Sequence, residues 1–224
     1  MTTLYYWPGL PGRGEIVRLL LAYGEMDYVD AARREGVQAV VEARERFPGY
    51  APPYLELDGE VMSQTPVILR VLAERFEAMG DSPRLTESCV LTLFDLIGEV
   101  HQTHHPISTS LYYEDQKEDA RRAAKAFLGE RLPAYLDWIE KVGPCDPFWL
   151  GSFSYADLVL LQVLDGLVYA FPNAMDAQYA KRPKLLKLRG HIDALPAVRG
   201  HRQSIRHVPF TEDGLFRHYP ELDS

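Results

Sequence analysis

Two adjacent phenols, Tyr5 and Tyr6, lie in an aromatic run, Leu4-Tyr5-Tyr6-Trp7. The chain then enters Pro8-Gly9-Leu10-Pro11-Gly12 and reaches Arg13. A phenol leaving a strand for a loop can donate a hydrogen bond to a bound anion. Aromatic packing within a strand is the competing reading. Pro52-Pro53 precedes a strand-like run, a position that hosts cis-proline and turns the preceding backbone toward a ligand. Ser63-Gln64-Thr65-Pro66 opens a helix. Proline is favoured in a first turn, and the free N–H groups and positive dipole end attract anions. A plain helix cap is the alternative there. Ser154-Tyr155-Ala156-Asp157 has the spacing of a capping box with Asp in the last place, which makes Ser154 and Asp157 folding residues. His101-Gln102-Thr103-His104-His105, beside Glu99, puts imidazoles on one helix face, as a metal site would. With no HExxH and no further ligand fixed by spacing, the three histidines read as structural or substrate-contacting, and no metal is expected.

The elements that must position these groups change in kind near residue 80. Before it, strand-like and helical patterns alternate: Leu4–Trp7, a helix carrying Ile16, Leu19, Leu20 and Tyr23, a strand at 28–31, and a charged helix at 36–46. Tyr54–Leu57 and Glu60–Met62 flank Asp58-Gly59, a strong hairpin signal. A helix with Val67, Ile68, Val71, Leu72 and Phe76 follows. Gly24 is expected to close the first helix in a left-handed conformation. This order predicts a small α/β domain with a mixed sheet over 1–79 and a linker at 80–85. Residues 86–224 read as an all-helical domain with a C-terminal tail. Its helices are predicted at 86–113, 115–142, 154–170, 183–194 and 196–205, the third apolar on nearly every side and therefore central.

Composition narrows the partners. Twenty-four basic against 32 acidic residues give a net charge of −8. That opposes both nucleic-acid binding and docking on anionic membrane. No apolar run is long enough for a membrane span, and the first residues lack the pattern of a secretory leader. Cys89 and Cys145 form no CxxC pair. The expectation is a reduced, soluble, cytoplasmic protein.

Taken together, the motifs resemble the cytosolic glutathione transferase family over nearly the whole chain, with a mu-, pi- or sigma-like N-terminal domain of the tyrosine type. Leu4-Tyr5-Tyr6-Trp7 with Arg13-Gly14 and Ile16-Val17-Arg18-Leu19-Leu20 is similar to the family's first strand and helix. Pro53-Tyr54-Leu55 resembles its cis-proline strand, Gln64-Thr65 its γ-glutamyl grip, and Ser154-x-x-Asp157 the capping box of its buried helix.

The resemblance implies a thioredoxin-like domain followed by an all-α domain, and an enzyme that activates the glutathione thiol for attack on a small hydrophobic electrophile. A glutathione-fold protein that binds ligands and catalyses little is the alternative. Tyr6 is implied as the thiol activator. Because the loop to Arg13 is longer than usual, Tyr5 stays open as the alternative. Tyr6, Trp7, Arg13, Pro52, Pro53, Gln64, Thr65 and Glu99 are implied to bind glutathione, Glu99 by reaching across a dimer interface. Arg33, Arg34, Arg44 and Arg46 are unranked candidates for assisting at the glycyl carboxylate. Residue 52 is proline and lacks an N–H, so one of the usual backbone bonds to glutathione must be missing. His105, Tyr112, Tyr113 and Phe210 are implied to face the electrophile. A homodimer is implied, with no cofactor beyond glutathione as co-substrate.

Overall fold

The computed structural model describes residues 1–223, which divide into two compact units. The first contains Met1–Met79. Its elements run β1 (Thr3–Tyr5), α1 (Gly12–Tyr23), β2 (Val29–Asp30), α2 (Ala31–Glu35), α3 (Gln38–Arg46), β3 (Tyr54–Leu57), β4 (Glu60–Ser63) and α4 (Thr65–Arg75). The sheet order is β2-β1-β3-β4. β1 and β2 are parallel across α1, and the remaining pairs are antiparallel. This is the expected mixed-sheet, thioredoxin-like arrangement. Asp58 and Gly59 both have positive φ, 54° and 88°, as the tight hairpin turn demands. Leu4, Leu55, Ile16, Leu20, Ile68 and Leu72 are buried between sheet and helices.

Gly24 corrects one expectation. Its φ is −77°, and Glu25 takes the positive φ instead. Gly24 is required by packing, because a Cβ there would lie 2.4 Å from the Phe76 ring.

The second unit contains α5 (Pro83–His104), α6 (Lys117–Ala126), α7 (Leu132–Val142), α8 (Tyr155–Ala170), α9 (Pro172–Lys181) and α10 (Pro183–Asp193). Every residue from Ser154 to Leu164 is buried, so α8 is the central helix its composition predicts. Asp157 Oδ2 accepts the Ser154 N–H at 2.8 Å and Oδ1 accepts the Trp149 N–H at 2.8 Å. The cap therefore also ties down the segment before the helix.

α5 stops at His104 instead of running to 113. His105 precedes Pro106, which disfavours the α conformation, and its φ of −133° is non-helical. Gln116 then satisfies the loop, accepting from Ile107 N–H at 3.0 Å and donating to the Ser108 carbonyl at 3.0 Å. The expected helix over 115–142 is present but contains a π-helical turn, Phe127–Arg131, between α6 and α7. α9 is an additional helix that the sequence reading leaves out.

The expected assignment of all of 86–224 to the helical domain also differs from the structure. Ala194–Pro209, with α11 (Pro196–Gln203), belongs to the first unit, and Phe210 onward to the second. The physical reason is Glu15. This α1 carboxylate is 1 % exposed. Its Oε1 accepts from His201 Nε2 at 2.7 Å, His207 Nδ1 at 2.9 Å and Val208 N–H at 3.4 Å. Its Oε2 accepts from Arg18 Nη1 at 3.2 Å, and Arg18 Nε donates to Asp30 at 2.9 Å. Burial alone would push the Glu15 carboxyl up. Hydrogen bonds from His201 and His207 and the Arg18 charge outweigh it and hold the carboxyl at about 2.

A depressed carboxyl stabilises the fold above its unfolded value near 4.5 and loses that contribution as pH falls toward 2. Glu15→Gln should therefore lower stability at pH 7 by roughly 3 kcal/mol and flatten its decline between pH 4.5 and 2. Urea unfolding of both proteins across that range checks this. Asp157→Ala should cost about 2 kcal/mol at pH 7, because it removes the α8 cap and orphans two N–H groups. Thermal denaturation reads that loss directly.

Candidate active site at the end of the sheet

The register of the first unit places the candidate residues at one end of the sheet. Tyr5 pairs with Tyr54, and Tyr54 with Ser63. The next residues along each strand line, Tyr6, Pro53 and Gln64, therefore leave the sheet at the same end. α1 and α4 both begin there.

Tyr5 and Tyr6 point to opposite faces, as successive strand residues do. The Tyr5 hydroxyl donates to Glu56 at 3.3 Å and accepts from Arg46 at 3.4 Å, and its ring packs edge-on to Phe47. Tyr6 is 7 % exposed. Its oxygen accepts the Arg13 N–H at 3.1 Å in the first turn of α1. Burial pushes the Tyr6 phenol up, against the opposing pull of the Arg13 N–H and the Arg18 charge. The hydroxyl therefore keeps its proton at neutral pH and can donate it to an acceptor.

Two glycines make that position possible. A Cβ on Gly12 would lie 2.2 Å from the Tyr6 oxygen, and one on Gly14 would lie 2.3 Å from the ring. Gly12 also has φ +37°. The sequence reading uses Gly12 as a loop mark and Gly14 within the resemblance, and neither as the floor beneath a ring.

Pro52-Pro53 is cis, as expected. Gln64, the residue before α4, has φ +67°, a conformation rarely held by a side-chain-bearing residue outside functional sites. Thr65 is 1 % exposed, and its hydroxyl has no hydrogen-bond partner among the described residues. An orphaned hydroxyl at the N-terminus of an 11-residue helix is equipped to receive an anion. Trp7 is half-buried in the loop that follows β1.

Some expected contributors are engaged elsewhere. Arg33 donates to the Arg206 carbonyl at 3.0 Å and to that of Ile205. Arg34 pairs with Glu35, and Arg46 lies over Phe47 at 4.5 Å. Glu99, on α5, is held by the Arg131 fork at 2.9 and 2.6 Å and by the Tyr135 hydroxyl at 2.8 Å.

The residues expected to face an electrophile have different surroundings in the second unit. Tyr112 is 81 % exposed. Tyr113 stacks on Tyr219 at 3.7 Å and donates to Glu221. Phe210 stacks on Tyr169 at 5.4 Å and meets Phe216 edge-on. His105 packs among His101 and His104. Among the described residues no helix is long and apolar enough to cross a membrane.

A thioredoxin-like unit with a phenol, a cis-proline and a helix N-terminus at one sheet end, joined to a helical unit, defines a class of fold. Comparison with known proteins agrees. The family model for the glutathione S-transferase C-terminal domain matches residues 101–204. The chain is 25 % identical over 214 residues to the class-mu 26 kDa isozyme 1 of Fasciola hepatica, covering 94 % of this chain and 90 % of that one. It is 24 % identical over 195 residues to a glutathione S-transferase of Plasmodium yoelii yoelii, covering 84 % and 85 %. The Pi-class enzyme structure from Onchocerca volvulus superimposes with a TM-score of 0.74 at 21 % identity, over 95 % of this chain and 98 % of that one. Over nearly its whole length the chain is therefore similar to known glutathione S-transferases.

The Thr65 hydroxyl gives a signature of its own. Thr65→Val should leave stability unchanged or raise it by up to about 1 kcal/mol, since the native hydroxyl is buried without a partner. A denaturant midpoint below that of the native protein would contradict the assignment.

Proposed function

We propose that this protein is a glutathione transferase in which Tyr6 stabilises the glutathione thiolate for attack on a small, hydrophobic electrophile. The observation that carries the reading is the Tyr6 hydroxyl: buried, un-ionised, with one lone pair accepting from Arg13 and its own O–H left to donate.

A free thiol with pKa near 8.5 is only a few per cent thiolate at pH 7. A phenol O–H directed at sulfur favours the charged form. Lowering the thiol by about two units requires roughly 2.7 kcal/mol, within reach of a charge-assisted hydrogen bond in a site of low dielectric. About three-quarters of bound glutathione is then thiolate at pH 7. The sulfur lone pair forms the C–S bond, and the displaced electron pair leaves on the electrophile's departing group or activated double bond. The enzyme forms no covalent intermediate of its own.

Thr65 and the α4 N-terminus would receive the γ-glutamyl carboxylate, with Gln64 beside them. The backbone at Pro52 would meet the cysteinyl segment through its carbonyl. Trp7 and Arg13 complete the glutathione side. The Arg131 and Tyr135 contacts of Glu99 favour leaving it out of this site. As in the family the chain resembles, the working unit is a homodimer, which sedimentation will test.

Titrating the thiolate absorbance of bound glutathione tests the mechanism. Tyr6→Phe should raise the thiol by about two units toward 8.5 and cut turnover near pH 6.5 at least tenfold. Tyr5→Phe should do neither. Thr65→Val should weaken glutathione binding by about tenfold without moving the thiol. A native protein that binds glutathione with an unshifted thiol would instead be a binding module on this fold.

A further inference from the structure

We propose that His101, His104 and His105, all within the second unit, form a binding site for a divalent transition-metal ion that the function proposed above does not call on. Each ring offers a nitrogen, and the three nitrogens lie within 4.8 Å of one another. His101 and His105 stack nearly parallel at 5.5 Å, and His104 meets both edge-on at 4.9 and 4.7 Å.

The tautomer of the central ring follows from its neighbours. His104 Nε2 lies 3.0 Å from the Leu215 carbonyl oxygen, which can only accept. Nε2 therefore carries the proton, and Nδ1 carries the lone pair. That lone pair accepts a hydrogen bond from His105 Nδ1 at 2.5 Å, a contact that a bound ion would replace. An imidazole that donates one nitrogen to a backbone carbonyl and turns the other inward has the arrangement of a metal ligand with its supporting contact. A tetrahedral ion bound by nitrogens at about 2.05 Å sets them about 3.3 Å apart. That spacing falls inside the 4.8 Å that bounds the three nitrogens here.

The groups that face the three rings bear on charge. Arg217 opposes a cation, although its Nε is engaged with the Gly214 carbonyl at 2.9 Å. The C-terminal end of the 22-residue α5, where all three histidines sit, favours one. Neutral imidazoles select zinc-like ions over magnesium or calcium, and three ligands leave a position open to water or an anion.

The other histidine cluster, Glu15 with His201 and His207, is comparable in compactness. It differs in chemistry. There a carboxylate accepts from both rings, so hydrogen bonding alone accounts for it. The α5 cluster contains no carboxylate.

The test uses the full chain, stripped with chelator and kept free of glutathione. Co2+ is titrated while its visible d–d bands are followed, and Zn2+ is then added in competition. One equivalent of Co2+ should give bands that Zn2+ abolishes. His101→Gln, at a half-exposed ring, should weaken binding at least tenfold. His104→Ala should do the same in protein shown to be folded by circular dichroism. His207→Ala, which disrupts the other cluster, should leave the titration unchanged. Absence of stoichiometric bands in the native protein would overturn the proposal. So would binding that survives His101→Gln, or binding lost in His207→Ala.

Discussion

The buried carboxylate of Glu15 is the interaction on which the first unit depends. It sits on α1 with an exposure of 1 % and gathers donors from the α1 guanidinium of Arg18, from α11 and from the segment after it. Arg18 in turn joins Asp30, whose other oxygen caps α2 through the Arg33 N–H. One charge thus organises the first crossover, the second strand and a segment from the far end of the chain. Removing a carboxylate from water costs several kcal/mol, and only a full set of partners offsets it. That all-or-none requirement makes the segment 194–209 part of this unit.

The sheet then turns a strand register into a site. Pairing of Tyr5 with Tyr54 and of Tyr54 with Ser63 fixes where Tyr6, Pro53 and Gln64 emerge. Gly12 and Gly14 let the Tyr6 ring lie against α1 at distances no side chain would allow. Gln64 holds an unfavourable φ and Thr65 an unpartnered hydroxyl. Each of these lowers stability, and each lies where a ligand would be received, the pattern expected where function and folding compete.

Much of this was legible in the residues. The hairpin at Asp58-Gly59, the cap at Ser154 and Asp157, the all-round apolar α8 and the cis-proline all depend on short-range chemistry, which sequence carries directly. The structure differs from the sequence reading both where long-range contacts decide and where local patterns mislead. Gly24 read as a left-handed terminator, but the Phe76 ring, brought in by α4, explains it. The end of α5 is hidden in the sequence because apolar residues continue past the break before Pro106. The α9 helix is hidden because a weakly amphipathic segment between prolines looks like a connector. Within the site, Tyr6, Gln64 and Thr65 were visible by type and spacing. The glycines beneath Tyr6 became meaningful only once the ring was seen lying on them. The aromatic residues of the helical unit were the least legible, since stacking partners such as Tyr113 and Tyr219 are more than a hundred residues apart.

The return of 194–209 to the first unit makes the chain cross between units at 79–80, 193–194 and 209–210. The thioredoxin-like half is therefore not a detachable cassette. Excised as residues 1–79, it would carry Glu15 and Arg18 without the histidines that complete their network. A cut at 79–80 would leave Glu15 on one fragment and its histidine donors on the other. Exchange of the thioredoxin-like half between relatives is accordingly a two-segment operation, in which α11 and its trailing loop must travel with α1, against which they pack.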